Sequence, residues 1–147
     1  MRTRHILCPT DFSEAASHAL GYAVEMANLY AVDIRLLNVI SMAYGEPDYG
    51  IVVDSPAELL QDQEAYANDR MKVIVSEVRE QMPSGLFVHT NIRSGGVLAQ
   101  ILEEADDREV GMIVIASHGH TGISHMLSPN VAEAVANQAK CPVLVVK

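Results

Sequence analysis

The stretch from Gly111 to Lys147, GMIVIASHGHTGISHMLSPNVAEAVANQAKCPVLVVK, constrains the fold more than any other part of the chain. Met112 to Ala116 is a short, continuous apolar run, the pattern of a strand buried on both faces. It breaks into SHGHTG, a loop with two glycines. SPN then reads as a helix start, with Asn130 as cap and Glu133 reaching back three residues later, an Asn-for-Ser form of the capping box. Val131 to Ala139 has helical spacing, and after a proline Val143 to Val146 reads as a second buried strand. Strand, glycine-bearing loop, helix, strand is half of an open α/β fold. Such a loop aims backbone N–H groups and a helix N-terminus at one spot, where anions such as phosphates bind.

The remaining residues extend the same alternation. Ile6 to Cys8 is a short apolar run, part of a strand from His5 that ends at Pro9, and Thr10, Asp11 and Ser13 follow as good capping residues. A helix is expected from about Ser13 to Tyr30, with Ala16, Leu20, Ala23, Val24 and Ala27 on one stripe. Asp33 to Ile40 is the second strand. Ser41 to Ser55 holds Gly45, Pro47 and Gly50 without a period and reads as a surface loop, a candidate lid. Ser55-Pro56 starts a long acidic helix that Met82-Pro83-Ser84-Gly85 stops. Leu86 to Ile92 alternates, as a strand near a sheet edge does. Ser94-Gly95-Gly96 is a tight turn, and Val97 to Ala105 is a helix burying Val97, Ile101, Leu102 and Ala105. Glu103, Glu104, Asp106 and Asp107 form a charge run expected to be the solvated end of that helix. Five strands alternating with four helices imply a parallel sheet covered on both faces, joined by right-handed crossovers.

Composition narrows the function classes. A chain of 147 residues is read as one domain spanning 1–147, with 49% hydrophobic and 20% charged residues as in ordinary soluble chains. No apolar run approaches the roughly 20 residues of a membrane span, and the apolar run near the N-terminus is too short for a signal peptide. A cytoplasmic location without membrane attachment is therefore expected. The formal charge of −9 argues against nucleic acid as the main partner. It leaves room for a phosphate ligand held by backbone amides. Cys8 and Cys141 each precede a proline at a strand end and read as core residues rather than a disulfide.

ILCPTDFSEAASHAL at the start, LLNVI in strand two, IVIASHGHTGIS after strand four and CPVLVVK at the end together resemble the universal stress protein family, over essentially the whole chain. The resemblance implies an adenine nucleotide alpha hydrolase-like fold with strand order 3-2-1-4-5. It also implies homodimers paired through the last strand, here Pro142 to Lys147. That strand has an apolar free edge, which independently favours a partner. Many family members bind ATP or AMP at the carboxyl ends of strands one and four. By resemblance, Pro9, Thr10 and Asp11 lie by the nucleoside, with Asp11 on the ribose hydroxyls, and Val39 offers its backbone to the adenine. Ile115, Ala116, His118 and Gly119 line the base and phosphate region, and Asn130 and Val131 sit beneath the phosphates. From the residues alone, Asp11 reads equally as a helix cap.

The departures weaken that site. The family's motif is Gly, two residues, Gly, nine residues, then Gly followed by Ser or Thr; here those positions read Ala116, Gly119, Pro129 and Asn130. Ala116 adds a methyl where backbone approaches a ligand, and Pro129 has no N–H to donate. Each lost phosphate donor costs roughly 1.5–3 kcal/mol. SHGHTG has no Gly-Lys-Ser or Gly-Lys-Thr and is no P-loop. His118, His120 and His125 lack a nearby acidic or cysteine ligand and read as polar loop residues, so no metal is expected beyond nucleotide-bound magnesium. Three functions follow in order. The first is a stress-response regulator or adaptor with a weakened adenine-nucleotide crevice. The second is a dimeric interaction module that binds no nucleotide. The third, a slow ATP hydrolase, ranks last because no lysine or base is positioned for it.

Overall fold

The computed structural model describes residues 4–41, 56–118 and 127–147. Its elements run β1 (Ile6–Pro9), α1 (Glu14–Tyr30), β2 (Ile34–Ile40), α2 (Pro56–Arg79), β3 (Val88–Ser94), α3 (Val97–Asp107), β4 (Met112–Ala116), α4 (Pro129–Gln138) and β5 (Val143–Val146). The five strands form one sheet in the order β3-β2-β1-β4-β5, with every neighbouring pair parallel. This is the order implied above. The central strands explain it, because Ile6 to Pro9 and Ile113 to Ala116 are buried without alternation, as strands covered on both faces must be.

The α1 helix owes its close approach to alanine. Ala16, Ala19, Leu20, Ala23, Val24 and Ala27 are buried along one stripe, and Ser13 caps the helix by accepting from the Ala16 N–H. The Asn28 side-chain amide of α1 donates to the carbonyl of Gln81, just past the end of α2, at 3.1 Å, and the Phe12 ring of the β1–α1 turn contacts Tyr66 of α2 edge-on. On the other face α3 covers β2 and β3 and packs against α4. No helix among the described residues is long and apolar enough to cross a membrane. Both cysteines are free; Cys8 is buried and Cys141 half-buried.

Two expectations need correction here. β3 starts at Val88 and runs to Ser94, two residues later than expected. Leu86 and Phe87 belong to the entry, where the Phe87 N–H is held by the Asp33 carboxylate at 2.9 Å. The larger correction concerns the acidic end of α3. Glu104 is fully buried, whereas Leu102 is only half-buried. The Glu104 carboxylate accepts from Arg93 Nε at 2.6 Å, Asn91 Nδ2 at 2.9 Å and Arg35 Nε at 3.3 Å. Arg93 also reaches Asp107 at 2.9 Å and Glu103 at 3.3 Å. The cause is the sheet. β2 and β3 present Arg35, Asn91 and Arg93 on the face that α3 covers, so α3 answers with a carboxylate rather than an apolar residue. Burial alone would push the Glu104 carboxyl up, but hydrogen bonds from Arg93, Asn91 and Arg35 outweigh it and hold the group below its ordinary range.

Candidate functional site

The sheet opens between β1 and β4. These strands pair only at Ile6↔Met112 and Leu7↔Ile113. β1 stays with β2 as far as Pro9↔Leu37, and β4 stays with β5 as far as Ala116↔Val146. The carboxyl ends of two adjacent central strands therefore diverge at the switch point of the sheet, the position at which open α/β folds take ligands.

The β1–α1 turn forms one wall, and it is fixed by short bonds. The Thr10 N–H donates to the Leu37 carbonyl at 2.8 Å. Thr10 Oγ1 accepts from the Phe12 N–H at 3.1 Å, and Asp11 Oδ1 accepts from the Ser13 N–H at 3.0 Å. Thr10, Asp11 and Ser13 are all buried. Capping belongs to Ser13, so Asp11 is not the helix cap that its position also allowed; it braces the turn from two residues before the cap. Phe12 sits at φ 66, an uncommon conformation for a bulky side chain and a mark of a turn held by its surroundings.

Asn38 and Val39 form the adjoining edge. The Asn38 side-chain amide donates to the Thr10 carbonyl at 2.9 Å and ties β2 to the turn. Backbone groups of alternate residues in a parallel strand point to the same neighbour. Leu37 accepts from Thr10 and Asp33 from Ile6, so Val39 is the next residue in that series. It lies beyond the last β1 partner, and its backbone groups face the opening rather than a strand.

The opposite wall is β4. Ile115 and Ala116 are buried, and Ala116 belongs to the hydrophobic core. The Ser117 N–H donates to the Val146 carbonyl at 2.8 Å, and the exposed His118 stands beside Ser117 Oγ, with its Nδ1 at 3.2 Å. Gly119, His120, His125 and most of the candidate lid, residues 42–55, lie outside the described residues.

The start of α4 corrects the expected cap. Ser128, not Asn130, is the N-cap, and its Oγ accepts from the Val131 N–H at 3.2 Å. Pro129 is the first helical residue, where its fixed φ suits the helix and its missing N–H would have had no intrahelical acceptor anyway. Asn130 is thereby moved into the first turn and Glu133 loses its capping-box role. The consequence for an anion is specific. Pro129 offers no N–H, the Val131 N–H is engaged by Ser128, and the Asn130 N–H has no acceptor among the described residues.

The model of the Universal stress protein family matches residues 2–147. The chain belongs to the universal stress protein family. The Universal stress protein MJ0531 of Methanocaldococcus jannaschii is 28% identical over 144 residues, covering 98% of this chain and 82% of that protein. From the same organism, the Universal stress protein MJ0577 is 31% identical over 153 residues, 98% of this chain and 94% of that protein. Among solved structures, the universal stress protein UspA from Lactobacillus plantarum superposes with a TM-score of 0.81 at 28% identity, covering 100% of this chain and 99% of that one.

Within this universal stress fold, Pro9, Thr10, Asp11, Val39, Ile115, Ala116 and His118 gather at one end of the sheet, with Asn130 and Val131 in the first turn of α4. Sequence reasoning did not single out Asn38, Phe12 or Ser128. The signal for Asn38 was available: it is the one polar residue in the run Leu36-Leu37-Asn38-Val39-Ile40. Ser128 was hidden by the assumption that a helix starts after its proline.

Proposed function

We propose that this universal stress protein is a non-enzymatic, cytoplasmic stress-response regulator or adaptor whose crevice takes an adenine nucleotide, ATP or AMP, with reduced affinity. The divergence of β1 and β4 carries this reading, with the Val39 backbone directed into the opening and the Thr10-Asp11-Phe12-Ser13 turn braced beside it. Two solved structures with this fold support the ligand class. One is a universal stress protein in complex with cAMP, 19% identical with a TM-score of 0.67. The other is the universal stress protein from Archaeoglobus fulgidus in complex with dAMP, 22% identical with a TM-score of 0.67. At those identities the likeness is one of fold, and the ligand argument rests on the turn and strand geometry of this chain. Asp11 takes the ribose, Val39 the base, and the first turn of α4 the phosphates.

A second reading is favoured by the same helix start: with Pro129 lacking an N–H and Val131 engaged, the protein acts as a dimeric interaction module without nucleotide. β5 is a sheet edge in the described structure and its Val145 is exposed. Such an apolar edge favours pairing with a second copy under either reading.

Calorimetric titration with ATP, AMP and cyclic AMP, with and without magnesium, separates the two. The nucleotide reading expects weak binding that tightens roughly ten- to a hundredfold in the A116G/P129G/N130S variant, as one regained charge-assisted donor allows. No binding by either protein refutes the nucleotide reading and favours the interaction module.

A further inference from the structure

At the opposite end of the sheet from the crevice, three neighbouring strands bring His5, Asp33 and His89 together. The register dictates this. Ile6, Ile34 and Val88 lie side by side, so His5 and Asp33 enter the sheet at one level. His89 stands two residues further in than that level, opposite Arg35. Residues two apart share a face, and Asp33, Arg35 and His89 therefore project to the same side as His5. The imidazoles of His5 and His89 stack with centroids 5.0 Å apart and planes 2° from parallel. His89 Nε2 lies 2.9 Å from Asp33 Oδ2, and His5 Nε2 lies 4.0 Å from the same oxygen. The three donor atoms all fall within 4.8 Å of one another.

We propose that His5, Asp33 and His89 form a binding site for a borderline divalent cation such as zinc. Two imidazoles and one carboxylate supply three ligands, and water takes the open fourth position. Donors about 2.0–2.1 Å from a tetrahedral ion stand roughly 3.3 Å apart, and the 2.9 and 4.0 Å separations bracket that spacing. The set is too rich in nitrogen for magnesium or calcium, which select oxygen. The side chains are partly exposed, 33% for His5, 21% for Asp33 and 39% for His89, so an ion reaches them without opening the core.

The surroundings orient the carboxylate. Asp33 Oδ1 accepts from the Phe87 N–H at 2.9 Å, which turns Oδ2 toward the two rings. Arg35 completes the arrangement, with Nη1 3.4 Å from His5 Nδ1. A guanidinium only donates, so His5 Nδ1 accepts and the ring's proton sits on Nε2, facing Asp33. Coordination at Nε2 moves that proton to Nδ1 and ends the Arg35 contact. Arg35 is also held by Glu104 at 3.3 Å, so occupancy of the site is felt in the layer beneath α3.

The test uses the full chain freed of metal with a chelator. Zinc is titrated calorimetrically into the wild type and into the His5→Gln and His89→Gln variants, with His18→Ala and Cys141→Ser as controls. We expect one zinc per chain, a loss of at least about tenfold in affinity for each glutamine variant, and no change in the controls. Absence of zinc binding, or binding indifferent to both glutamine variants, overturns the proposal. Should those variants fail to fold, histidine side-chain resonances of the wild type decide. Zinc must move the signals of His5 and His89, and movement confined to His118, His120 and His125 refutes the site. The cluster and the crevice lie at opposite ends of the strands, so either reading can fail without the other.

Discussion

Replacing Glu104 by alanine tests the polar layer between α3 and the sheet. The side chain of Glu104 is 1% exposed and that of its partner Arg35 is 11% exposed. After the substitution Arg93 keeps Asp107 at 2.9 Å and Glu103 at 3.3 Å, so that guanidinium retains carboxylate partners. Among the described residues Arg35 has no other carboxylate contact; it keeps only the 3.4 Å approach to His5 Nδ1. The loss therefore concentrates on one nearly buried guanidinium, and removing one partner of a buried pair costs about 3–5 kcal/mol. At about 2–4 °C per kcal/mol for a chain of this size, the melting temperature falls by roughly 10 °C. Urea unfolding followed by far-ultraviolet circular dichroism measures the free energy directly. The double variant E104L/R35M removes both charges and is expected to recover most of the loss, as apolar replacements of buried pairs do. If Glu104→Ala stays within about 1 kcal/mol of the wild type, the network behaves like an exposed surface pair and the reasoning is wrong.

Three further outcomes rest on the same polar contacts and burial. Because hydrogen bonds hold the folded-state Glu104 carboxyl below its ordinary value of 4.5, its contribution to stability is fully present above that pH. It is lost as pH falls through the lower folded value, and urea midpoints measured across the acid range should flatten in Glu104→Gln. Ser128→Ala removes the α4 cap and should cost about 1 kcal/mol. It also releases the Val131 N–H, so AMP affinity measured by calorimetry should rise or hold while the melting temperature drops; a fall in affinity contradicts the amide argument. Burial pushes the Cys8 thiol up to about 12, and mass spectrometry after alkylation of the native protein should find Cys141 modified well before Cys8.

The order of elements was legible because buried parallel strands write themselves as unbroken apolar runs. Met112 to Ala116 is too short for a helix and stops at once, the alanine stripe of α1 keeps helical spacing, and the observed β4 and β5 coincide with the runs that identified them. The polar layers were not legible, for a geometric reason. Glu104 looks like its neighbours Glu103 and Asp106 along the chain, and only the register of β2 against β3 reveals that Arg35, Asn91 and Arg93 wait opposite it. His5, Asp33 and His89 are likewise 28 or more positions apart and meet only through strand pairing. Periodicity reports which face is buried; it carries no information about which polar residues that face will meet across the sheet.

The helix start of α4 decides which amides a phosphate can reach. With Asn130 as cap, Pro129 would stand before the helix as a blocked donor in the phosphate loop. With Ser128 as cap, Pro129 lies inside the first turn, where a missing N–H is harmless to the helix. The cost to a phosphate then has two sources. One is the imide of Pro129, and the other is the Ser128 hydroxyl, which occupies the Val131 N–H at 3.2 Å. The second is reversible: a hydroxyl that caps a helix can rotate away, and its bond is worth only about 1 kcal/mol. A phosphate arriving at this turn therefore competes with Ser128 for one amide and finds a second on Asn130. On this geometry the triphosphate end is the weak part of the crevice, while the nucleoside end, at Thr10, Asp11 and Val39, keeps its framework. AMP should accordingly lose less affinity than ATP relative to a site with glycine at 129. Equal losses for the two nucleotides would place the defect elsewhere.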